Sequence, residues 1–297
     1  MISTRALLAL LVAAALLGCT RLPPDVRTAS TPTPLPTPIP TQTPVRSVDT
    51  AAPSGARIQP AQWIAVPVSG GKRITAAVFR PEGSGPFPLV VVLHGTSGFS
   101  NPFLQLASDL SKGGFVAVAG CWFGGHFDAA TRADQPAPAV VPKAIACADA
   151  PDLQPPSSPS TIANLGALVT AARALPGVDA TRTGVLGHSR GSAAALTVAM
   201  GLGDLRAVVA SAGVPSGPAV AAFTSRLTTP VLLLQGEADV TVPAADTRAF
   251  EAALRAAGRG VQSHYYPAAP HGYLFEPRWH DDFVRRSIEF FAARFAR

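Results

Sequence analysis

Thr183-Gly184-Val185-Leu186-Gly187-His188-Ser189-Arg190-Gly191-Ser192 is the stretch whose reading decides the fold of this 297-residue chain. A short apolar run enters Gly-x-Ser-x-Gly, and an alanine-rich segment of helical composition, Ala193 to Met200, leaves it. Strand, sharp turn and helix form the setting in which a serine at the apex is pushed out above a sheet. The apex residue must take a strained backbone conformation, and the residues two before and two after it come so close that neither has room for a Cβ, hence Gly187 and Gly191. The helix that follows points unpaired N–H groups at the place where negative charge would develop. Gly-x-Ser-x-Gly on its own says little, since glycine and serine are common in loops. The flanking elements give it meaning, and the rest of the chain must supply a base, an acid and an oxyanion site.

Working outward, strands and helices alternate. Leu89 to Leu93 is a continuous apolar run of the kind buried on both faces of a sheet, Phe115 to Ala119 is another buried strand, and Arg206 to Ala210, Val231 to Leu234 and Val261 to Tyr266 are further strands. Helices fit Pro102 to Lys112 with Asn101 as N-cap, Ser160 to Leu175, Ala244 to Ala257 and Trp279 to Arg294. Trp63 to Val68 and Arg73 to Arg80 form a hairpin across Ser69-Gly70-Gly71. The pattern predicts an α/β fold: a mainly parallel central sheet with an antiparallel start, flanked by helices on both faces.

The folded domain is expected over residues 61–297. Ahead of it, residues 1–18 carry Arg5 and an unbroken apolar core, Ala6 to Leu17, as in a secretory signal peptide. Leu16-Leu17-Gly18-Cys19 resembles the bacterial lipobox, which implies diacylglycerol on Cys19; the alternative is an ordinary signal peptide with an incidental cysteine. Residues 19–60 then form a linker rich in Thr-Pro, extended at about 3.1 Å per residue, that would hold the domain off a membrane. The expected location is outside the bacterial cytoplasmic membrane, lipid-anchored at the cell surface or periplasmic face. In that oxidising setting Cys121 and Cys147 are left either as a disulfide or as two buried thiols.

The net charge of +6 comes mostly from scattered arginine, with Lys72, Lys112 and Lys143 the three lysines among 24 basic residues. No run of five basic residues exists, which argues against nucleic acid as a partner. Neither His-x-x-x-His nor Cys-x-x-Cys occurs, so neither a metal nor a cofactor is called for.

A serine hydroxyl needs a base in contact, and the base needs a group to fix its tautomer. In an open parallel sheet these belong at the carboxyl ends of strands. Asp239 follows the strand Val231 to Leu234, and His271 follows Val261 to Tyr266. The order Ser, Asp, His is that of α/β-hydrolases. Asp204 and Asp246 are the competing carboxylates, one after a helix and one inside a helix. His264 and His280 read as packed or surface residues, and His126 as a residue of the long irregular loop.

Taken together, Gly-x-Ser-x-Gly, then Gly236-Glu237-Ala238-Asp239-Val240-Thr241-Val242-Pro243, then His271-Gly272-Tyr273 resemble the dienelactone hydrolase-like branch of the α/β-hydrolase superfamily, over roughly residues 62–297. The resemblance implies Ser189 as nucleophile, His271 as general base and then acid, and Asp239 as the carboxylate that orients His271. Dienelactone hydrolase itself uses cysteine, so serine here points to the ester-cleaving relatives acting on small-molecule or polymeric esters. The oxyanion donors are expected at the backbone N–H of Arg190 and of Thr96, in the loop after Leu89 to Leu93. His94, beside it, reads as structural. Phe99 and Trp122 are candidates either to line a pocket or to pack the loops. Two other readings stay open: a peptidase of the prolyl-oligopeptidase-like type, for which the chain is short of the usual extra domain, and a non-catalytic binding protein on a hydrolase fold. Pocket shape rests with the loops 98–103, 121–158 and 212–222.

Overall fold

A computed structural model describes residues 46–124 and 142–296. The apolar leader 1–18, Cys19, the linker up to residue 45 and His126 lie outside the described residues. Among the described residues, nine strands form one sheet in the order β1-β2-β3-β5-β4-β6-β7-β8-β9. The strands are β1 (Val48–Asp49), β2 (Gln62–Pro67), β3 (Arg73–Phe79), β4 (Phe87–Leu93), β5 (Val116–Gly120), β6 (Val178–His188), β7 (Ala207–Ser211), β8 (Val231–Gly236) and β9 (Val261–Tyr266). The pairings β1–β2, β2–β3 and β3–β5 are antiparallel, and every pairing from β5 across to β9 is parallel. The antiparallel start and parallel body match the pattern of the sequence. The sheet itself begins earlier than expected, because Val48 pairs with Ala65 and Asp49 with Ile64 inside the stretch read as linker. Two residues paired on a neighbour's edge leave no periodicity to read.

The alternation along each central strand sorts the core into two layers. Leu89, Val91 and Leu93 face one cluster, whereas Val90 and Val92 face the other. The first layer is covered by α2 (Pro159–Arg173), α3 (Arg190–Leu202) and α5 (Ala244–Ala256), through residues such as Leu168, Leu196 and Phe250. The second is covered by α1 (Asn101–Lys112) and α6 (Pro277–Phe295), through Phe103, Leu106, Phe283 and Phe291. A strand buried on both faces has no solvent side to show, which is why β4 reads as an uninterrupted apolar run.

Two local expectations are corrected. The residue before α1 is Ser100, and Asn101 is already helical. Instead of capping, the Asn101 side chain accepts from the Arg57 N–H at 2.6 Å and donates to the Gly55 carbonyl at 3.0 Å, tying down the incoming chain. Ser158 caps α2, its hydroxyl accepting from the Thr161 N–H at 3.2 Å. A further helix, α4 (Ala219–Arg226), lies in the stretch read as irregular loop. None of its residues is fully buried, and the apolar stripe of Val220 and Phe223 that leans on the core is too short to betray it.

Cys121 and Cys147 form a disulfide, with Cα atoms 6.5 Å apart. It joins the residue after β5 to the segment that returns beside the loop between β4 and α1. There the Ile145 N–H donates to the Phe99 carbonyl at 2.6 Å, and Ser100 and Ala144 form an isolated antiparallel bridge. Closing a loop of this size is worth about 2–4 kcal/mol. Replacing both cysteines by alanine is expected to lower unfolding stability by about that amount in urea titration, and an unchanged midpoint would show the crosslink to be dispensable.

Candidate active site

The strands β4, β6, β7, β8 and β9 all end on one edge, and the candidate groups sit in the turns that leave them. Ser189 stands between β6 and α3 with φ 56° and ψ −122°, a conformation that costs on the order of 1–3 kcal/mol for a non-glycine residue. The surroundings hold it there. Its N–H donates to the Ser211 carbonyl at 2.7 Å, and its own carbonyl accepts from Ser192 N–H at 2.9 Å. A Cβ on Gly187 would come within 2.0 Å of the Gly191 carbonyl oxygen, and one on Gly191 within 2.2 Å of the Leu93 carbonyl oxygen. Both glycines are therefore required by close backbone approach, as the motif suggested.

The three groups named from the sequence meet. Ser189 Oγ–H donates to His271 Nε2 at 2.9 Å, and His271 Nδ1–H donates to Asp239 Oδ2 at 2.7 Å. The Asp239 side chain is fully buried and that of His271 is 14% exposed. Asp239 is held by four donors in all. Its Oδ1 accepts from the N–H groups of Thr241 and Val242, each at 2.8 Å, and its Oδ2 also accepts from Gln235 Nε2 at 3.1 Å. The two loops are laced together: Ala238 N–H donates to the Ala269 carbonyl at 3.0 Å and Glu237 N–H to the Tyr266 carbonyl at 3.0 Å. This lacing brings a carboxylate and an imidazole 32 residues apart into a fixed pair.

Gln235 was not singled out from the sequence. It is wholly buried, its amide N–H also donates to the Val242 carbonyl at 3.0 Å, and its Oε1 accepts from the Thr247 hydroxyl at 2.9 Å. The signal available was a lone polar residue closing the otherwise apolar run Val231 to Leu234. His188, Ser211 and Tyr273 were missed as well; Ser211 Oγ lies 3.0 Å from His188 Nδ1 and 2.9 Å from Tyr273 OH.

At the expected oxyanion position, Arg190 is the first residue of α3, so its N–H has no partner within the helix. The loop after β4 passes directly beside the serine, since a Cβ on Gly95 would sit 3.1 Å from Ser189 Cβ. The Arg190 guanidinium, whose role the sequence left open, reaches back over this loop. Its Nε–H donates to Thr96 Oγ1 at 3.4 Å and an Nη1–H to the Gln154 carbonyl at 3.1 Å.

Phe99 and Trp122 do not line a pocket. They are 1% and 2% exposed and pack around His94, together with Phe103 and Phe123. The Trp122 indole N–H donates to the His94 carbonyl at 3.1 Å, so both rings serve as framework for the loop. His94 is fully buried, and this burial lowers its pKa from 6.5 to about 4 despite a bond from Nδ1–H to the Gly95 carbonyl at 3.0 Å. The competing acids and bases lie elsewhere. Asp204 makes a two-pronged pair with Arg173, His280 bonds Asp109 and the Leu274 carbonyl, His264 faces Asp282 at 3.9 Å, and Asp246 sits in the first turn of α5.

The buried His94 makes stability depend on pH. As pH falls from 6.5 to about 4 the unfolded chain takes up a proton that the folded chain refuses, so stability falls across that window, by on the order of 3 kcal/mol from this residue. Urea midpoints measured across the window should fall less steeply in His94→Asn than in the wild type; equal slopes would refute the assignment.

The comparisons with known proteins bear on the family and the fold. A curated protein of Methylorubrum extorquens named "Putative carboxymethylenebutenolidase" is 28% identical over 221 residues, covering 71% of each chain. Among solved structures, a dienelactone hydrolase-like promiscuous phosphotriesterase from metagenomic libraries superposes with a TM-score of 0.61 at 22% identity, covering 76% of this chain and 95% of the other. Est1E from Butyrivibrio proteoclasticus gives 0.58 at 16% identity, covering 79% and 99%. At those identities the structures establish the fold, that of the α/β hydrolases. The model of the dienelactone hydrolase family matches residues 74–287, from β3 into α6 and across all three of the hydrogen-bonded groups, and the chain belongs to that family.

Proposed function

We propose that this protein is a serine hydrolase of carboxylic esters, with Ser189 as nucleophile, His271 as general base and Asp239 as the group that orients it. The observation that carries the reading is the unbroken hydrogen-bonded chain from Ser189 Oγ through both ring nitrogens of His271 to Asp239. Asp239, saturated by backbone and amide donors, holds His271 with its proton on Nδ1, which leaves Nε2 free to accept. Ser189 Oγ attacks the ester carbonyl while Nε2 takes the hydroxyl proton. The carbonyl oxygen becomes an oxyanion, for which the N–H groups of Arg190 and Thr96 are the donors in this reading. Collapse expels the alcohol, which leaves with the proton from Nε2, and an acyl-serine remains. Water, deprotonated by the same nitrogen, then releases the carboxylic acid and restores the serine.

Serine in place of the cysteine of dienelactone hydrolase favours this dependence on a base. A serine hydroxyl is a much weaker nucleophile than a thiolate at neutral pH, and here it already donates to His271. In the direct test, Ser189→Ala is expected to lower hydrolysis of p-nitrophenyl acetate by about 10³-fold or more with the fold intact, and to abolish labelling by a fluorophosphonate probe. Full activity in the variant would sink the assignment. A wild-type chain that neither labels nor hydrolyses esters would favour a binding protein, and cleavage of amides but not esters would favour a peptidase.

The location is proposed on the sequence and the disulfide: a lipid on Cys19, a proline-rich stalk, and a compartment that permits Cys121–Cys147. Among the described residues no helix is long and apolar enough to cross a membrane. Labelled palmitate should enter the wild-type chain and not Cys19→Ala, which should be released from membranes; equal incorporation would exclude Cys19 as the site.

A further inference from the structure

Behind the proposed triad lies a second chain of polar groups with no part in the proton transfer. His188, Ser211 and Tyr273 are 3%, 0% and 0% exposed. Three polar side chains in an apolar interior carry a desolvation cost that apolar residues of similar shape would avoid. What they gain is each other: Ser211 Oγ is 3.0 Å from His188 Nδ1 and 2.9 Å from Tyr273 OH. Each comes from a segment that carries part of the site. His188 immediately precedes Ser189. Ser211 ends β7, and its backbone carbonyl accepts the Ser189 N–H at 2.7 Å. Tyr273 is two residues after His271, in the same turn.

We infer that the buried chain His188–Ser211–Tyr273 is a positioning device that fixes the His271 turn against the Ser189 elbow, with Ser211 as its hub. The inference rests on the triad reading above. Ser211 grips both sides of the nucleophile–base contact: through its carbonyl the backbone of Ser189, and through its hydroxyl the turn that presents His271. The ring of Tyr273 is seated between Tyr266 and Phe283, with centroids at 4.9 and 6.0 Å, so its hydroxyl arrives from a fixed direction. The His188 ring lies 5.0 Å from that of His271 and 5.5 Å from that of Phe275, closing the far side of the base. Burial, and secondarily the neighbouring His271, hold the His188 pKa well below its ordinary value, so this ring buttresses His271 without placing a second charge beside it. Burial likewise keeps the Tyr273 hydroxyl protonated.

Hydroxyl deletion tests the device. Tyr273→Phe and Ser211→Ala each remove one oxygen and keep the packing, and Ser287→Ala serves as a control, since Ser287 is a buried serine of α6 whose hydroxyl donates to the Phe283 carbonyl. Two readouts are taken on the full chain: ester kinetics, and the low-field Nδ1 proton resonance of His271, assigned by its loss in His271→Gln. Both hub variants are expected to move or broaden that resonance and to lower kcat about 10- to 100-fold with little change in KM. The double variant should cost no more than the worse single one, because the groups act as a unit. The control should move neither readout. A resonance that stays in place in both hub variants would overturn the inference, as would a loss of activity equal to that of the control. If the wild-type chain proves inactive on esters, the function reading falls, and the resonance still decides whether the chain positions His271.

Discussion

The backbone of Ser189 is held in a conformation that a serine does not choose. Its φ of 56° persists because the approach of the Gly191 carbonyl to Gly187, the approach of the Leu93 carbonyl to Gly191, and the bond from its own N–H to Ser211 leave the chain no other path. A strain of about 1–3 kcal/mol is small beside the packing of a two-layered core, and the fold absorbs it. In return the hydroxyl stands clear of the sheet and the first N–H of α3 is left without a partner inside the helix. Relaxing either glycine contact would remove the position of the Ser189 hydroxyl and the helix end's alignment together.

The other groups at this edge are placed by lacing between loops rather than by the strands themselves. Bonds from Ala238 to Ala269 and from Glu237 to Tyr266 make the turns after β8 and β9 into one unit, and Gln235 anchors it from beneath by binding both Asp239 and the Val242 carbonyl. On the opposite side the loop after β4 is held by the buried His94 and its aromatic neighbours, by the Ile145–Phe99 bond and by the Arg190 guanidinium on Thr96. The disulfide at Cys121–Cys147 fastens the segment that supplies Ile145. A crosslink far from Ser189 in sequence is thereby mechanically connected to the loop expected to hold an oxyanion donor.

Most of the architecture was legible because it is written in periodicity. β4, β5 and β8 are apolar runs that only a doubly covered sheet explains, and the elbow motif, with Asp239 and His271 following at strand ends, named three groups that the fold brings into hydrogen-bond contact. The failures share a cause. β1 is two residues long, α4 leans on the core only through Val220 and Phe223, and Asn101 turned from a cap into a clamp because its partners, Gly55 and Arg57, are more than 40 residues away. Phe99 and Trp122, near strand ends, could be read as pocket walls or as loop packing, and their packing around His94 decides for the second.

By itself, then, the sequence determined the fold class, the identities of Ser189, His271 and Asp239, and their order, since each depends on local pattern and on where strands end. Only the tertiary structure decided which polar groups hold them. Gln235, Ser211, His188 and Tyr273 are ordinary residues in ordinary strand ends and turns. They acquire a role from neighbours distant in the chain, because a hydrogen bond in a buried site is specified by tenths of an ångström between atoms that sequence spacing does not relate.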